Sequence, residues 1–441
     1  MNGWLQAKTI SKPYFYCIAL LIALFFLYKY WQVPQIDFAP LYTVGHIWHN
    51  NESIDYYGFE IEKKGRGFVL HTTPEFTSYA RKIGYDHRVE VPLFLYFPAF
   101  IPLFSLFTAI PYKIATKILL LLSCLTILLM VRTVIDGQKR PYAVVLFTGI
   151  TALLLVSPVM HWSIKTGQIT PFLAGGILLV VSLLRKGNPA AAGLLLSVVA
   201  WTKLFPALFA LAFIQRKDYR AIVWFILGCV AIFLFGTGVF GINVIGQYVS
   251  ILNAMTSGIN ICGVNQSFEA FFQRFYVDVN LTNRVMLMSG NTGVTVIAAL
   301  CKTMILLLAL GFVQLAWKEK REEYVMLVTY ALMALMVLLV PLSWVHYYVF
   351  FIPLAIVMGS AIFSVKERVN IPWISCYGIS LFSIFIGSGI LVVAAQLVVN
   401  IFGPSLGSDV LKLFIGLHLI GGVFLLIMAY VVLSIQSRRC G

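Results

Sequence analysis

Charge is what this 441-residue chain has least of: 11% of its residues are Asp, Glu, Lys or Arg, and only 17 are acidic. Soluble domains carry about 25% charged residues, so water is not the solvent for most of this surface. The seven cysteines (Cys17, Cys124, Cys229, Cys262, Cys301, Cys376, Cys440) are scattered, and no two stand at C-x-x-C spacing. That excludes a metal knuckle and a disulfide framework; most lie in apolar runs and read as small buried hydrophobes. The phosphate-cradling G-x-x-x-x-G-K-[ST], the dinucleotide G-x-G-x-x-G, the zinc-binding H-E-x-x-H and the G-x-S-x-G elbow are missing from the contexts they require. Nucleotide-driven transport and zinc proteolysis lose their support with them. No D-x-D stands in a polar loop, so a metal-bound nucleotide-sugar site is not indicated; no metal and no cofactor is expected. A basic stripe interleaved with aromatics is also missing, which argues against nucleic acid as a partner.

Apolar residues are abundant: 60% of the chain is hydrophobic and the mean hydropathy is +0.90. Uncharged runs recur near the ~20 residues a helix needs to cross a bilayer, where a barrel would show short alternating segments. The expected fold is all-α: a polytopic membrane helix bundle of about twelve spans, forming one integral membrane domain over residues 1–441. The net charge of +15 belongs to short basic links between apolar runs, which stay in the cytoplasm. The first run, Tyr14 to Trp31, follows Lys8 and Lys12 and has no A-x-A cleavage site, so it reads as an uncleaved span with a cytoplasmic N-terminus. Residues 37–90 and 241–292 become extracytoplasmic loops carrying interfacial helices.

The Val91–Met130 block is broken by Pro92, Pro98, Pro102 and Pro111 and crosses once after an interfacial segment, or twice. The basic Arg132, Lys139 and Arg140 after it favour an odd number. A span over Tyr142–Val156 leads into a short polar loop, Ser157 to Gln168. Ala190 to Ile214 has basic residues at both ends and Lys203 at its centre. It is either a broken hairpin with Lys203 at its tip or one tilted span with Lys203 snorkelling. Later spans are expected near Thr295–Leu315, Val325–Val340, Val349–Phe363, Trp373–Val399 and Leu411–Ile435, with a basic link at Lys366–Arg368. Asn51-Glu52-Ser53, Asn265-Gln266-Ser267 and Asn280-Leu281-Thr282 are sequons only in a eukaryotic membrane. The basic links and uncleaved first span fit a bacterial cytoplasmic (inner) membrane.

Asp37 stands where the first span gives way to polar residues, and an ionisable group near bilayer depth is a functional candidate; it would equally serve as an N-cap. Charge asymmetry gathers Asp37, Gln168, Arg274 and His346 on the extracytoplasmic side, joined by Lys203 if the hairpin holds. Asp37 has the chemistry of a general base, and Lys203 and Arg274 that of groups holding a leaving phosphate. His346 is able to hydrogen-bond phosphate or sugar, or to be an ordinary interfacial histidine. Gln168 is a candidate ligand or a turn residue after Gly167, and Trp344, Tyr347 and Tyr348 suit an aromatic belt. Phe268, Phe271, Phe272 and Phe275 form the apolar face of a short helix expected to lie on the membrane and aim Arg274 at an anion.

Six stretches in order resemble the polyprenol-phosphate-dependent glycosyltransferases of family 87, in the GT-C superfamily. They are Asp37-Phe38-Ala39-Pro40-Leu41-Tyr42; Val91-Pro92-Leu93-Phe94 with Pro98; Gly167-Gln168; Lys203-Leu204-Phe205-Pro206; Asn265-Gln266-Ser267 with Arg274; and Ser343-Trp344-Val345-His346-Tyr347. The resemblance implies an inverting transfer of a hexose, mannose first, from a polyprenyl-phosphate donor to a lipid or glycan acceptor among membrane lipids. It implies Asp37 as base, with Lys203, Arg274, His346, Gln168, Asn265 and Gln266 at the donor phosphate and sugar. A transporter or flippase of lipid-linked sugars is the alternative.

Overall fold

The computed structural model describes residues 9–86, 88–138, 143–277, 285–318, 321–364, 371–387 and 412–438. The Asn280-Leu281-Thr282 sequon, the basic residues Lys139 and Arg140, the Lys366–Arg368 link, Cys440 and the stretch to Val399 lie outside them. Among the described residues, six helices are long and apolar enough to cross a membrane: Lys12–Lys29, Tyr112–Gln138, Tyr219–Thr256, Thr292–Trp317, Val345–Ile362 and Leu417–Ser434. A seventh arises if Ala143–Val156 and Pro158–Lys165, bent by 65° to each other, form one span. This is fewer than the twelve expected, because the other apolar helices are only 10–17 residues long. The Tyr219–Thr256 helix turns Val223, Ile226, Leu227, Val230 and Leu234 outward, as a lipid-facing helix does. In Glu322–Leu339 every residue from Leu327 to Leu338 is buried, so that helix forms the centre of the bundle.

Contacts between chain ends sort the helices into two layers. At one end the Ile10 amide donates to Asp136 at 2.8 Å, Arg185 pairs with Glu322 at 2.8 Å, and Lys217 stands 5.8 Å over the Trp317 ring. At the other end the Asp37 amide donates to the Thr166 carbonyl at 2.8 Å, and Lys203 reaches Gln168 at 3.2 Å. The chain from Pro189 to Arg216 therefore starts and finishes at the first end, with Lys203 turned toward the second. Pro189–Thr202 is helical, Lys203 is extended (φ −145°, ψ 130°), and Phe205–Ala210 returns as a 3-10 helix before Leu211–Arg216. Pro206 lacks an amide proton and cannot extend a helix through Lys203. Of the two readings of this block, the hairpin is the one formed. Its first arm, 14 residues long, rises about 21 Å at 1.5 Å per residue, so its tip ends inside the bundle.

Two expectations are corrected. The polar loops are not purely helical: β1 (Phe59–Lys64), β2 (Gly67–Thr72), β3 (Ile259–Asn260) and β4 (Leu287–Met288) form one antiparallel sheet in the order β1-β2-β4-β3. A single helix, Pro74–Lys82, follows β2, its first turn capped by Thr73. Gly241 (φ +79°) breaks Tyr219–Thr256 into two helices, the second of which runs to Thr256 at the start of the second loop. Ile242, Ile245 and Ile251 keep apolar spacing beyond it. The supposed loop after Val156 is largely the Pro158–Lys165 helix, started by a proline at a position where its missing amide costs nothing. The Val91–Met130 block resolves into short helical turns over Pro98–Ala109 and one long helix, Tyr112–Gln138.

The end of the Pro158–Lys165 helix is a Schellman turn: the Gln168 amide bonds the Ser163 carbonyl and the Gly167 amide that of Ile164. Gly167 has φ +72°, and a Cβ there would lie 2.7 Å from the Gln35 Cβ. Gly187 has nearly the same φ, +71°, but open space around it. Gly187→Ala is expected to cost about 1–2 kcal/mol, the left-handed penalty alone. Gly167→Ala should cost more, because Gln35 and Phe38 must also move. Thermal unfolding of the purified variants checks the order, and equal losses would remove the close packing of Gly167 on Gln35.

Candidate functional site

The site begins where the first span ends. Gln35 is buried, its carbonyl takes the Tyr112 hydroxyl at 3.1 Å and its amide leans on the Ile164 carbonyl at 3.4 Å. With the Asp37 amide held by the Thr166 carbonyl, the stretch is docked on the Thr166-Gly167-Gln168 turn. Asp37 is not the cap of the following helix: Phe38 takes that position and no side chain caps it. Its carboxylate is half-buried and hemmed in by protein, with the Thr166 hydroxyl and Gln168 amide in hydrogen-bonding reach. Burial holds this carboxyl above the usual carboxylate range, against the downward pull of those two bonds and of the Lys203 charge.

Gln168 links the opposite charges. Its amide nitrogen faces the Asp37 carboxylate, and its Oε1 accepts from the Lys203 Nζ at 3.2 Å. Lys203 gives a second bond to the Tyr347 hydroxyl at 3.2 Å, and its Nζ lies 4.7 Å from the Tyr347 ring centre and 5.8 Å from that of Tyr96. The Tyr347 ring in turn stacks on Phe205, two residues past Lys203, at 4.7 Å. His346 is buried; it meets the Tyr347 ring edge-on at 4.7 Å and feels the Lys203 charge. Its Nε2 has no hydrogen-bond partner among the described residues. Asp37, Gln168, Lys203 and His346 are thus brought together, from four separate parts of the chain.

Arg274, Asn265 and Gln266 form a neighbouring cluster. Arg274 does not point outward from a surface helix: it is fully buried, and its Nη1 donates to the carbonyls of Cys262 (3.2 Å) and Asn265 (2.7 Å). The short helix, Phe268–Gln273, turns its Arg274 end inward, and burial pulls the guanidinium down to about 10. Gln266 donates from Nε2 to the carbonyls of Gly263 (2.8 Å) and Ile415 (2.7 Å). The two clusters meet along Ser343–Tyr347, where Trp344 pairs with Asn265 and stacks parallel to His346 at 6.5 Å.

Sequence reasoning did not single out the tyrosines that wall the carboxylate. Tyr85, Tyr96, Tyr112 and Tyr347 all lie within electrostatic reach of Asp37. For Tyr96 the available signal was its place in the proline-broken Leu95-Tyr96-Phe97-Pro98 turn; Tyr347 looked like one more belt aromatic. An open groove of about 650 Å³, lined by Thr72, Pro74, Thr77, Ser78, Arg81 and Lys82, lies on the extramembrane module and contains none of these residues. Among the described residues no group of His, Cys, Asp and Glu is placed to hold a metal ion.

A base beside a cation, with a hydrogen-bonding histidine and aromatic walls, is suited to moving a proton off a hydroxyl while an anionic group departs. A model of the family described as glycosyltransferase family 87 matches residues 94–341. No curated protein matches the chain. The matched segment holds Gln168, Lys203, Asn265, Gln266 and Arg274; Asp37 precedes it and His346 follows closely. Matched over more than half its length, the chain belongs to glycosyltransferase family 87 and is a membrane-embedded glycosyltransferase.

Proposed function

We propose that the protein moves a hexose, mannose first, from a polyprenyl-phosphate donor to a lipid or glycan acceptor, with inversion at the sugar. One observation carries this reading: Lys203, bonded to Gln168 at 3.2 Å, lies within electrostatic reach of Asp37, so a proton acceptor and a cation for a leaving phosphate share one site. The acceptor hydroxyl attacks the anomeric carbon as its proton passes to the Asp37 carboxylate. The bond from that carbon to the phosphate oxygen breaks, and polyprenyl phosphate leaves with the electron pair. Lys203 steadies the growing phosphate charge, and His346 Nε2, without a hydrogen-bond partner among the described residues, meets the phosphate or the sugar. Arg274, Asn265 and Gln266 back the donor side. A carboxylate lifted by burial is a stronger base than one in water.

Sidedness follows from the basic residues. Arg132, Arg185, Lys186, Arg216, Lys217 and Arg220 collect at the end marked by the Arg185–Glu322 pair, which the positive-inside rule assigns to the cytoplasm. The Asp37 end is then extracytoplasmic, in a bacterial inner membrane. A GT-C type of bundle belongs to this proposal, supported by the six or seven membrane-length helices among the described residues.

Asp37→Asn is expected to lower sugar transfer by at least about a hundredfold, the usual worth of a positioned general base, with accumulation and donor binding retained. Radiolabelled polyprenyl-phosphate mannose, followed into lipid products by mass spectrometry, reads both. Transfer at the wild-type rate would remove Asp37 as base.

The pH profile is a separate check. The base must be ionised, so the rate rises with pH through a pKa above the usual carboxylate range. Lys203 lowers that pKa, so in Lys203→Met the rising limb moves to higher pH. A limb unmoved or moved lower would mean that the ammonium does not act on Asp37.

A further inference from the structure

Asn265 commits three of its four side-chain hydrogen-bonding positions to the protein itself. It is completely buried, its Nδ2 donates to the Asn260 carbonyl at 2.8 Å, and its Oδ1 accepts from the amides of Ser267 (3.2 Å) and Ser343 (3.0 Å). The last of these bonds crosses to a strip 78 residues away in sequence. Backbone bonds continue the seam on both sides: the Gln266 amide donates to the Ser343 carbonyl at 2.5 Å and the Val345 amide to that of Val264 at 2.9 Å. Arg274 fastens the Asn265 carbonyl from behind. The strip so fixed runs straight into the reaction site. Tyr347 closes a turn on Trp344 through its amide at 2.8 Å, and its hydroxyl takes the bond from Lys203.

We propose that Asn265 is a positioning residue: it locks Ser343–Val345 so that the Tyr347 hydroxyl and the His346 ring stand at fixed places beside Lys203 and Asp37. The proposal rests on the transferase reading above. It assigns Asn265 a part in turnover and none in contacting the donor. Arg274 and Gln266 are lashings of the same seam. A ligand-contacting residue and a positioning residue differ in which kinetic constant they move, because misplacement by about 1 Å costs as much as a hundredfold in rate and leaves the binding contacts standing.

The test uses the full-length protein in lipid nanodiscs. Asn265→Ala is expected to lower kcat by about tenfold to a hundredfold while the donor KM stays within about threefold. Tyr347→Phe should act through the same link, so the Asn265→Ala/Tyr347→Phe pair falls short of the product of the single losses. A raised donor KM with kcat preserved, or losses that multiply, would overturn the proposal. A readout free of turnover accompanies these: acetylation of Lys203 by acetic anhydride, followed by peptide mass spectrometry. Both single variants should speed it several-fold by releasing the ammonium; acceleration by Tyr347→Phe without acceleration by Asn265→Ala would also overturn it. Should Asn265→Ala not accumulate, Asn265→Ser is expected to show the same signs. A wild-type protein that transfers no sugar would refute the transferase reading, and the acetylation rates would still decide the positioning role.

Discussion

Opposite charges held inside a protein whose outer solvent is hydrocarbon stay charged only if something polar accompanies them, since an isolated buried ion costs several kcal/mol. In this chain the Gln168 amide does so, giving its nitrogen side to Asp37 and its oxygen to Lys203. The interposed amide screens the pair, so Asp37 remains basic where a direct ion pair would pull its pKa down further. It also leaves the Lys203 ammonium a third donor beyond those spent on Gln168 and Tyr347. The arrangement has the character of a site preorganised for charge that appears later in a reaction.

The geometry of that amide depends on elements that share no sequence neighbourhood. Gly167 sets the turn that aims Gln168, and Gln35 packs against it so closely that the first span and the bent helix register on each other. Lys203 arrives at the end of a helical arm too short to traverse the bundle, which is why it stops at the site rather than at the membrane edge. Phe205 then stacks on Tyr347, so the hairpin tip is held by the strip that it hydrogen-bonds. The strip itself abuts the centre of the bundle, following closely on the buried Leu327–Leu338 stretch of the Glu322–Leu339 helix.

The sequence is informative where physics is local. Hydrocarbon-length runs disclose a membrane bundle, and basic residues on both sides of Lys203 put a chain that returns to its starting face among the two readings. It is uninformative where partners are distant. Arg274 reads as the polar side of a surface helix because phenylalanine spacing is visible, whereas the carbonyls of Cys262 and Asn265 that draw it inward are backbone atoms without a sequence signature. Phe59-Glu60-Ile61-Glu62 alternates with period two, the mark of a strand, yet it was submerged in a charged loop. Its sheet is completed by β3 and β4, roughly two hundred residues later. The Pro158–Lys165 helix was hidden by its own polar residues, since Ser157, His161 and Lys165 resemble a loop when the bend at Pro158 is unknown.

Asp37 lies before the segment that matches the family, whereas Gln168 and Lys203, which act on it, lie within that segment. The proposed base and the proposed phosphate-facing groups therefore belong to different pieces of the chain, joined by two backbone-scale connections: Asp37 to Thr166, and Asn265 with its neighbours to Ser343–Val345. In the proposed reaction each connection acts on one job, since the first places the Asp37 carboxylate and the second places the Tyr347 hydroxyl that holds Lys203. Neither is replaceable by packing of apolar side chains alone. Lipid-facing helices gain little from burying hydrocarbon against hydrocarbon, and their relative positions are set by close contacts and polar bonds. In a bundle of this kind buried hydrogen bonds define where the catalytic groups stand, and the apolar mass around them keeps water from taking the place of the acceptor.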